Sequence, residues 1–528
     1  MEAALLDATG TAKHGGSEEG AVACEVKKQL YLAGPLVVGF LLQNMVQMVS
    51  VMFVGHLGEL ALASASLATS FAGVTGFSLL AGMACSLDTL CGQAFGARQH
   101  HQLGVYKQRA MVVLALVSVP VAVVWAYTGQ ILTWCGQDPE IAAGAGSYIR
   151  WLTPALFAYG ALQCHVRFLQ TQNLVVPVML SSGATALCHP AVCWLLVRRI
   201  GLGRNGAALA NAVSYLANLS FLAVYVRASP ACKTTWTGFS AEAFRGVPDF
   251  LKLAVPSAVM VCMEWWSFEL LVLLSGLLPN PKLETAVLSI CWNTNSFAFM
   301  VPLGLGGAVS TRVSNELGAG HPRASRLATR VVVLLALAVG VSEGVVMVLV
   351  RHLWGYAYSN EEEVVRYTAR MMPLVAVSIV FDGLQSVLSG GMARTLPAPF
   401  IQQFLCLASL NFQFEKRFLL SLLVCTLSEQ GLWLGIMGGL VVQMLLLLSI
   451  TLCTNWNKEG ADTNLQVPLV LTELRKCIAI TSPLILCSTS LPPHIHGCRL
   501  WGGVWFQASS LRLPSDSDQE LANPGEPI

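Results

Sequence analysis

Apolar runs of about 20 residues recur along most of this 528-residue chain, and each is long enough to cross the hydrocarbon core of a bilayer. Inside that core every backbone amide and carbonyl needs a partner from its own segment, so such a run predicts a helix. Hydrophobic residues make up 55% of the chain and charged residues 11%, and the mean hydropathy is +0.62. An ordinary soluble protein carries about twice that share of charge. The sequence therefore predicts an all-α integral membrane protein.

The apolar runs predict 12 transmembrane helices. The predicted spans are Leu30 to Val54, Leu62 to Ala84, Ala110 to Tyr127, Tyr148 to Phe168, Leu174 to Val197, Gly206 to Val226, Phe250 to Leu278, Thr285 to Val309, Val331 to Val350, Tyr367 to Leu388, Phe400 to Leu427 and Leu432 to Leu452. The eleventh is the least regular, because a charged triplet from Glu415 to Arg417 separates two short apolar runs. An even number of crossings puts both termini on one side of the membrane.

The distribution of basic residues predicts which side that is, since Lys and Arg accumulate in cytoplasmic loops. Alternate connections contain Arg98, Lys107, Arg109, Arg227, Lys233, Arg245, Arg312, Arg323, Arg326 and Arg330. The opposite connections contain Asp138, Glu140 and the acidic run at 361–363, with Arg198, Arg199 and Arg204 as an exception. Both termini are therefore predicted to be cytoplasmic.

An internal repeat divides the predicted spans into two groups of six. Leu32-Ala33-Gly34-Pro35 opens the first span and Leu253-Ala254-Val255-Pro256 opens the seventh. The second and eighth spans share Glu, Ala, Ser and Thr at an offset of 225, ending with Thr69 and Thr294, and Tyr148 repeats as Tyr367 at an offset of 219. Six helices per copy place the relating axis along the membrane normal, with a substrate cleft expected between the lobes at mid-membrane.

The repeat predicts five regions along the chain. They are a cytoplasmic tail at 1–28, an N-lobe at 29–228, a cytoplasmic linker at 229–248, a C-lobe at 249–454 and an atypical cytoplasmic tail at 455–528. Within the C-lobe, the segment 392–430 is atypical in its own right.

Acidic residues inside membrane helices are functional candidates, because an ionised side chain costs about 2.5 to 3.5 kcal/mol at the centre of an inserted helix. Glu264 lies near the middle of the seventh span and Asp382 lies about two-thirds along the tenth. The repeat places amides opposite them: Gln43 corresponds to Glu264, and a gap-free count matches Gln163 to Asp382. Matching Leu384-Gln385 to Leu162-Gln163 instead would shift the second register, and that alternative stays open. A buried carboxyl can also simply hydrogen-bond across a helix interface, and that alternative stays open for both acids.

Further cleft candidates accompany the acids. Trp265 and Trp266 follow Glu264 and would stack on a cationic or aromatic substrate, although tryptophan also serves as packing in membrane helices. Asn293 and Asn295 add amides in the eighth span. A cleft lined by apolar, aromatic and amide groups suits many flat organic molecules, so the substrate itself is not determined.

Several function classes are disfavoured by the sequence. We find no phosphate-binding Gly-rich loop with Lys and Ser/Thr and no His-Glu-x-x-His motif, which argues against ATP-driven transport and against zinc hydrolysis. The 16 cysteines are scattered without the spacing of metal ligands. The net charge is +2 and the chain has no long basic tract, which argues against nucleic-acid binding. We therefore expect neither an enzyme nor a bound metal, cofactor or nucleic acid.

Three segments together resemble the multidrug and toxic compound extrusion (MATE) family, in its plant detoxification-type members. They run from Leu87 to Ala97, from Cys262 to Trp266 and from Val313 to Gly320. The resemblance covers roughly residues 25 to 391 and 431 to 458. It implies twelve helices in two lobes, in a monomer that exports organic cations, alkaloids, flavonoids or other metabolites and xenobiotics across the vacuolar or plasma membrane. It also implies a proton gradient as the energy source, with coupling acids at Glu264 and Asp382.

The resemblance lapses after Gly391 and resumes at Gly431, which leaves a second hypothesis open. In that alternative the chain is a non-transporting variant with a disrupted second lobe that regulates intact relatives. Sodium coupling is a further alternative to proton coupling, although it usually calls for several oxygen ligands gathered at one site.

Overall fold

The computed structural model describes residues 18–275, 281–358, 361–392 and 429–453. Its α-helices, which we number α1 to α14, are Glu18–Gly55, Glu59–Ala72, Ser78–Ala84, Ser86–Gly96, His100–Ala126, Thr128–Trp134, Pro139–Thr171, Val176–Cys193, Arg204–Ala228, Val247–Ser275, Pro281–Gly318, Pro322–Trp354, Glu362–Met392 and Glu429–Cys453. Eight helical stretches in these residues are long and apolar enough to cross a membrane. The whole of the predicted eleventh span, from Phe400 to Leu427, and the whole of the tail at 455–528 lie outside the described residues.

The helices extend beyond the predicted spans at their polar ends. The first begins at Glu18, well inside the predicted tail at 1–28, and α11 runs to Gly318 rather than Val309. A span predicted from hydropathy ends at the first polar residues, whereas the hydrogen-bonded helix continues until a capping residue ends it. At the start of α7 that cap is Asp138, whose carboxylate accepts hydrogen bonds from the amides of Glu140 and Ile141 at 2.8 and 3.2 Å.

The second predicted span is interrupted within the membrane. A π-helical segment from Gly73 to Phe77 lies between α2 and α3, and α4 follows directly and ends at Gly96. A π-helical turn shifts the register of every side chain after it and occurs often at functional sites. This shift is invisible to hydropathy, because the residues on both sides are equally apolar.

Each lobe contains the same tryptophan–threonine hydrogen bond, which provides structural evidence for the internal repeat. Trp125 Nε1 donates to Thr75 Oγ1 at 2.9 Å in the N-lobe, and Trp354 Nε1 donates to Thr294 Oγ1 at 2.8 Å in the C-lobe. The structural counterpart of Thr294 is therefore Thr75, 219 positions earlier, and not Thr69 as the offset of 225 predicted. Thr75 lies within the π-helical segment Gly73–Phe77, where the register in which side chains face the neighbouring helix changes.

The lobes meet closely where α4 contacts α11. A Cβ atom on Gly92 would collide with Ser314 Oγ, one on Gly96 with the carbonyl oxygen of Asn315, and one on Gly318 with the carbonyl oxygen of Gln93. Only glycine permits backbones to approach so closely. We call these three glycines the glycine seam; it joins the ends of the second and eighth spans.

An ion-pair cluster lies beside the glycine seam. Arg312 on α11 donates to both carboxylate oxygens of Glu25 on α1, at 3.1 and 3.0 Å, and lies 2.8 Å from Glu316. Gln29 adds a hydrogen bond to Glu25 at 3.3 Å. Glu25 lies on the part of α1 that precedes the predicted N-lobe boundary at 29, and Arg312 lies in the C-lobe, so this pair and the glycine seam together join α1 and α4 to α11.

The linker between the lobes packs on the N-lobe. Gln108 donates to the carbonyl of Gly238 at 2.7 Å and accepts from the amide of Ser240 at 2.8 Å. The ammonium of Lys107 lies 4.3 Å from the ring centroid of Trp236 and is fully buried beneath it. The linker ends at Gly246, which has a φ of +71° and lies directly before the first residue of α10.

Candidate functional site

Asp382 and Asn295 are in direct contact within the C-lobe. Asp382 lies on α13 and is 3% exposed, and Asn295 lies on α11 and is 2% exposed. Asn295 Nδ2 donates a hydrogen bond to Asp382 Oδ2 at 3.1 Å. A charge-assisted hydrogen bond of this kind offsets part of the cost of burying an ionised carboxylate. The two candidates that sequence placed on separate spans thus form one site.

Two further side chains hold this amide in position. Ser378 lies one helical turn before Asp382, and its hydroxyl, which donates to the carbonyl of Val375 at 2.8 Å, lies 3.5 Å from Asn295 Oδ1. Trp433 on α14 donates from Nε1 to the Ser378 hydroxyl at 3.3 Å. Asn295 thus presents its amide nitrogen to Asp382 and its amide oxygen to Ser378. Helices α11, α13 and α14 therefore converge on the carboxylate.

Glu264 belongs to α10, but its side chain lies outside the described part of the chain. Its neighbours are described: Trp265 and Trp266 are both more than one-third exposed. Trp266 Nε1 donates to the carbonyl of Val74 at 2.9 Å, within the π-helical segment of the N-lobe. Trp266 thus bridges the two lobes, while Trp265 keeps an open ring face.

The amide candidates fall into different environments. Gln43 is half-buried on α1, and Gln163 is buried on α7. Asn293 is exposed on α11, since two residues of helix turn it about 200° away from Asn295. The structure therefore brings Asn295 to Asp382 and leaves Asn293 apart from that contact.

The N-lobe contains a cluster of three aromatic rings, with an amide hydrogen-bonded to one of them, in the region that the repeat relates to Asp382. The ring of Tyr159 lies 4.9 Å from that of Phe77 and 5.4 Å from that of Tyr215 between centroids, in edge-to-face arrangements. Gln47 donates to the Tyr215 hydroxyl at 2.8 Å, and Gln163 lies one turn from Tyr159 on α7. This region carries neutral hydrogen-bonding and aromatic groups where the C-lobe carries a carboxylate.

The repeat offset of 219 relates the two regions residue by residue. It matches Asp382 to Gln163 and Ser378 to Tyr159, which agrees with the gap-free count and with the offset between Thr75 and Thr294, whereas their tryptophan partners, Trp125 and Trp354, are 229 positions apart. Sequence reasoning missed Ser378, Trp433, Tyr159, Tyr215 and Gln47. Applying the offset of 219 to Asp382 and its helical neighbours would have found Ser378 and Tyr159. Trp433 and Tyr215 gave no comparable signal, because each reaches the site from a separate helix.

His189 is a packing residue and does not join the site. It is fully buried, its Nε2 lies 2.9 Å from Ser50 Oγ and its Nδ1 lies 2.8 Å from Ser214 Oγ. Both ring nitrogens have partners, which is the arrangement expected for a satisfied histidine in a helix interface.

Comparisons with known proteins agree with this architecture. A sequence model of the MatE family matches residues 35–195 and 256–401, more than half of the chain. Protein DETOXIFICATION 16 of Arabidopsis thaliana is 54% identical over 443 residues, which cover 84% of this chain and 91% of that protein. Protein DETOXIFICATION 17 of the same plant is 52% identical over 436 residues, 83% of this chain and 91% of that protein.

A solved structure matches the same extent of the chain. The crystal structure of the eukaryotic MATE transporter AtDTX14 superposes with a TM-score of 0.79 and 41% sequence identity, covering 84% of this chain and 98% of that one. These similarities confirm the all-α membrane fold of twelve helices in two lobes that the sequence predicted.

Proposed function

This chain belongs to the MATE family of membrane transporters, and from that premise we propose that it is a proton-coupled antiporter which exports small organic compounds. Glu264 and Asp382 carry the coupling in this proposal. The observation that supports it best is the burial of Asp382 at 3% exposure, with the amide of Asn295 aimed at its carboxylate.

Competition for one buried carboxylate explains how proton and substrate movements become linked. An ionised carboxyl is costly in a low-dielectric interior unless a proton or a cationic partner neutralises it. Either neutralising species excludes the other, so loading the substrate requires that the proton leave. Asn295 moderates this competition, because its donated hydrogen bond makes the ionised state less costly and keeps the carboxylate available.

The direction of transport follows from where each exchange occurs. The ionised acids accept substrate from the cytoplasm, where protons are scarcer. After the lobes reorient, protons from the acidic far side occupy the acids and release the substrate. The driving force is the proton gradient, so no cofactor takes part, and a single chain with its two lobes is a sufficient unit.

The substrate class is proposed from the two sides of the cleft. The carboxylate in the C-lobe favours organic cations such as alkaloids, while the neutral aromatic group at Phe77, Tyr159 and Tyr215 favours flat, hydroxylated molecules such as flavonoids. We place the protein in the vacuolar or plasma membrane with both termini in the cytoplasm, so that export clears the cytoplasm of metabolites and xenobiotics.

The decisive experiment uses purified protein in liposomes with an imposed pH gradient and a fluorescent organic cation. Glu264→Gln and Asp382→Asn are expected to abolish gradient-driven uptake, since neither variant binds and releases a proton there. Glu343→Gln is the matched control, because Glu343 is a half-buried membrane carboxyl on α12, outside the contacts of Asp382. Unchanged coupling in the Asp382 variant would overturn the assignment, and uptake driven by a sodium gradient alone would replace the proton.

A second experiment separates the transporter from the non-transporting alternative. Single cysteines placed on either side of 392–430 are labelled with a membrane-impermeant maleimide in oriented vesicles. Labels on opposite sides establish an eleventh crossing and support the transporter, whereas labels on one side favour the regulatory variant.

A further inference from the structure

A surface groove lies where the third and fourth predicted spans meet, remote from the cleft between the lobes. Short helix α6 packs across the start of α7 and leaves a groove of about 420 Å³. Its lining includes Tyr127, Gln130, Thr133, Trp134 and Arg150. Nothing in the transport proposal uses these residues.

Two glycines build the groove. A Cβ atom on Gly146 would lie 2.9 Å from the backbone nitrogen of Gly129, so only glycine lets α6 approach α7 this closely. The same Gly146 offers its carbonyl oxygen to Arg150 Nε at 3.1 Å. This hydrogen bond fixes one edge of the guanidinium and leaves its two terminal nitrogens for a ligand. Among the described residues, no acidic side chain lies within ion-pair distance of Arg150.

The surroundings of the groove match a membrane interface. Trp134 is 83% exposed and Tyr127 is also exposed, and such amphipathic rings concentrate at the level of the lipid headgroups. Below Tyr127, the exposed side chains Leu116, Val119 and Val123 follow one another at helical spacing along α5. They form a continuous apolar stripe that leads up to the groove.

We propose that this groove binds a membrane phospholipid, with its phosphate on Arg150 and an acyl chain along the stripe of Leu116, Val119 and Val123. A guanidinium presents paired N–H donors that fit phosphate oxygens, and an unpaired one beside hydrocarbon is costly until such a partner arrives. A soluble anion would satisfy Arg150 equally but would gain nothing from the apolar stripe or the exposed rings. The combination therefore favours lipid over free phosphate.

Native mass spectrometry of the intact protein with added phosphatidylglycerol tests this proposal. Arg150→Gln removes the charged donors and is expected to weaken lipid binding by about tenfold or more, as the loss of one charge-assisted contact predicts. Arg199→Gln is the matched control, since Arg199 is an exposed arginine at the end of the π-helical segment Trp194–Arg199 and does not line the groove. Equal lipid occupancy in the two variants would overturn the site.

Two further arms keep the outcome unambiguous. Arg150→Lys keeps the charge but lacks the Nε donor to Gly146, so we expect intermediate lipid binding and an unaltered fold. Inorganic phosphate at millimolar concentration is expected to leave lipid occupancy unchanged. If phosphate alone displaces the lipid, or if lipid raises the melting temperature of Arg150→Gln as much as that of the unmodified protein, the groove is not a phospholipid site.

Discussion

Asn295 donates a hydrogen bond to Asp382 across the interface of α11 and α13, with 3.1 Å between nitrogen and oxygen. The contact joins two buried residues that are 87 positions apart in sequence. The amide thereby holds the carboxylate in place within the C-lobe, and the first prediction follows from it.

Asn295→Ala should slow transport driven by a pH gradient. The substitution removes the side-chain amide that donates to Asp382 Oδ2 at 3.1 Å inside the C-lobe. A hydrogen bond to a charged group is worth about 1.5 to 3 kcal/mol, which corresponds to a roughly tenfold or greater loss of rate. Initial uptake into liposomes under a fixed pH gradient measures the transport rate. Asn293→Ala is the control and should leave it unchanged, because Asn293 is exposed.

Thr75→Val and Thr294→Val should each destabilise one lobe. Valine keeps the shape of threonine but leaves a tryptophan Nε1 without its acceptor, which costs about 1 to 3 kcal/mol. Thermal unfolding in detergent should show a lower melting temperature for each variant. The costs should add in the double variant, since the two sites share no partner.

Thr69→Val is the control for that pair and also tests the repeat register. The Thr69 hydroxyl donates only to its own helix, to the carbonyls of Ala65 and Ser66 at 3.0 and 2.9 Å. A loss of stability at Thr69 equal to that at Thr75 would contradict the offset of 219.

Gly96→Ala should impair transport without unfolding the protein. A methyl group there collides with the backbone of Asn315, so the lobes no longer close along the glycine seam. Overpacking of this kind costs about 1 to 3 kcal/mol, enough to depopulate the closed arrangement roughly tenfold. Uptake rates and melting temperature measured together separate the two effects. Gly34→Ala should behave as the unmodified protein, because a Cβ atom there meets nothing within 4 Å.

Exchanging the charges of Glu25 and Arg312 should reveal their coupling. Glu25→Arg and Arg312→Glu each leave like charges together in a largely buried position and should slow transport by at least about tenfold, as expected for an unpaired buried charge. The double variant should recover part of the activity. Asp249→Asn, which breaks an exposed pair with Lys252 at 2.9 Å, should have little effect. A double variant slower than both singles would rule out a direct coupling.

The sequence was sufficient to predict the membrane class, the two lobes and the positions of most spans, and it singled out Asp382 as a functional candidate, which the structure shows to be buried. Those features depend on composition, on helix length and on the cost of burying charge, all of which are local properties. The equivalence of Thr294 with Thr75 could not be predicted, because a single π-helical segment changes the register without changing hydropathy. Trp433 and Tyr215 were missed for a different reason: they act through contacts between helices that are far apart in sequence.

The docking of the linker on the N-lobe has a consequence for how the halves of the protein move. Gln108 and Lys107 hold the linker through Gly238, Ser240 and Trp236. We therefore expect the linker and the N-lobe to move together as one rigid unit. A change in the angle between the lobes then requires backbone rotation just before the start of α10. Gly246 is the last linker residue with left-handed backbone geometry, so we expect the hinge between the lobes to lie at this single glycine.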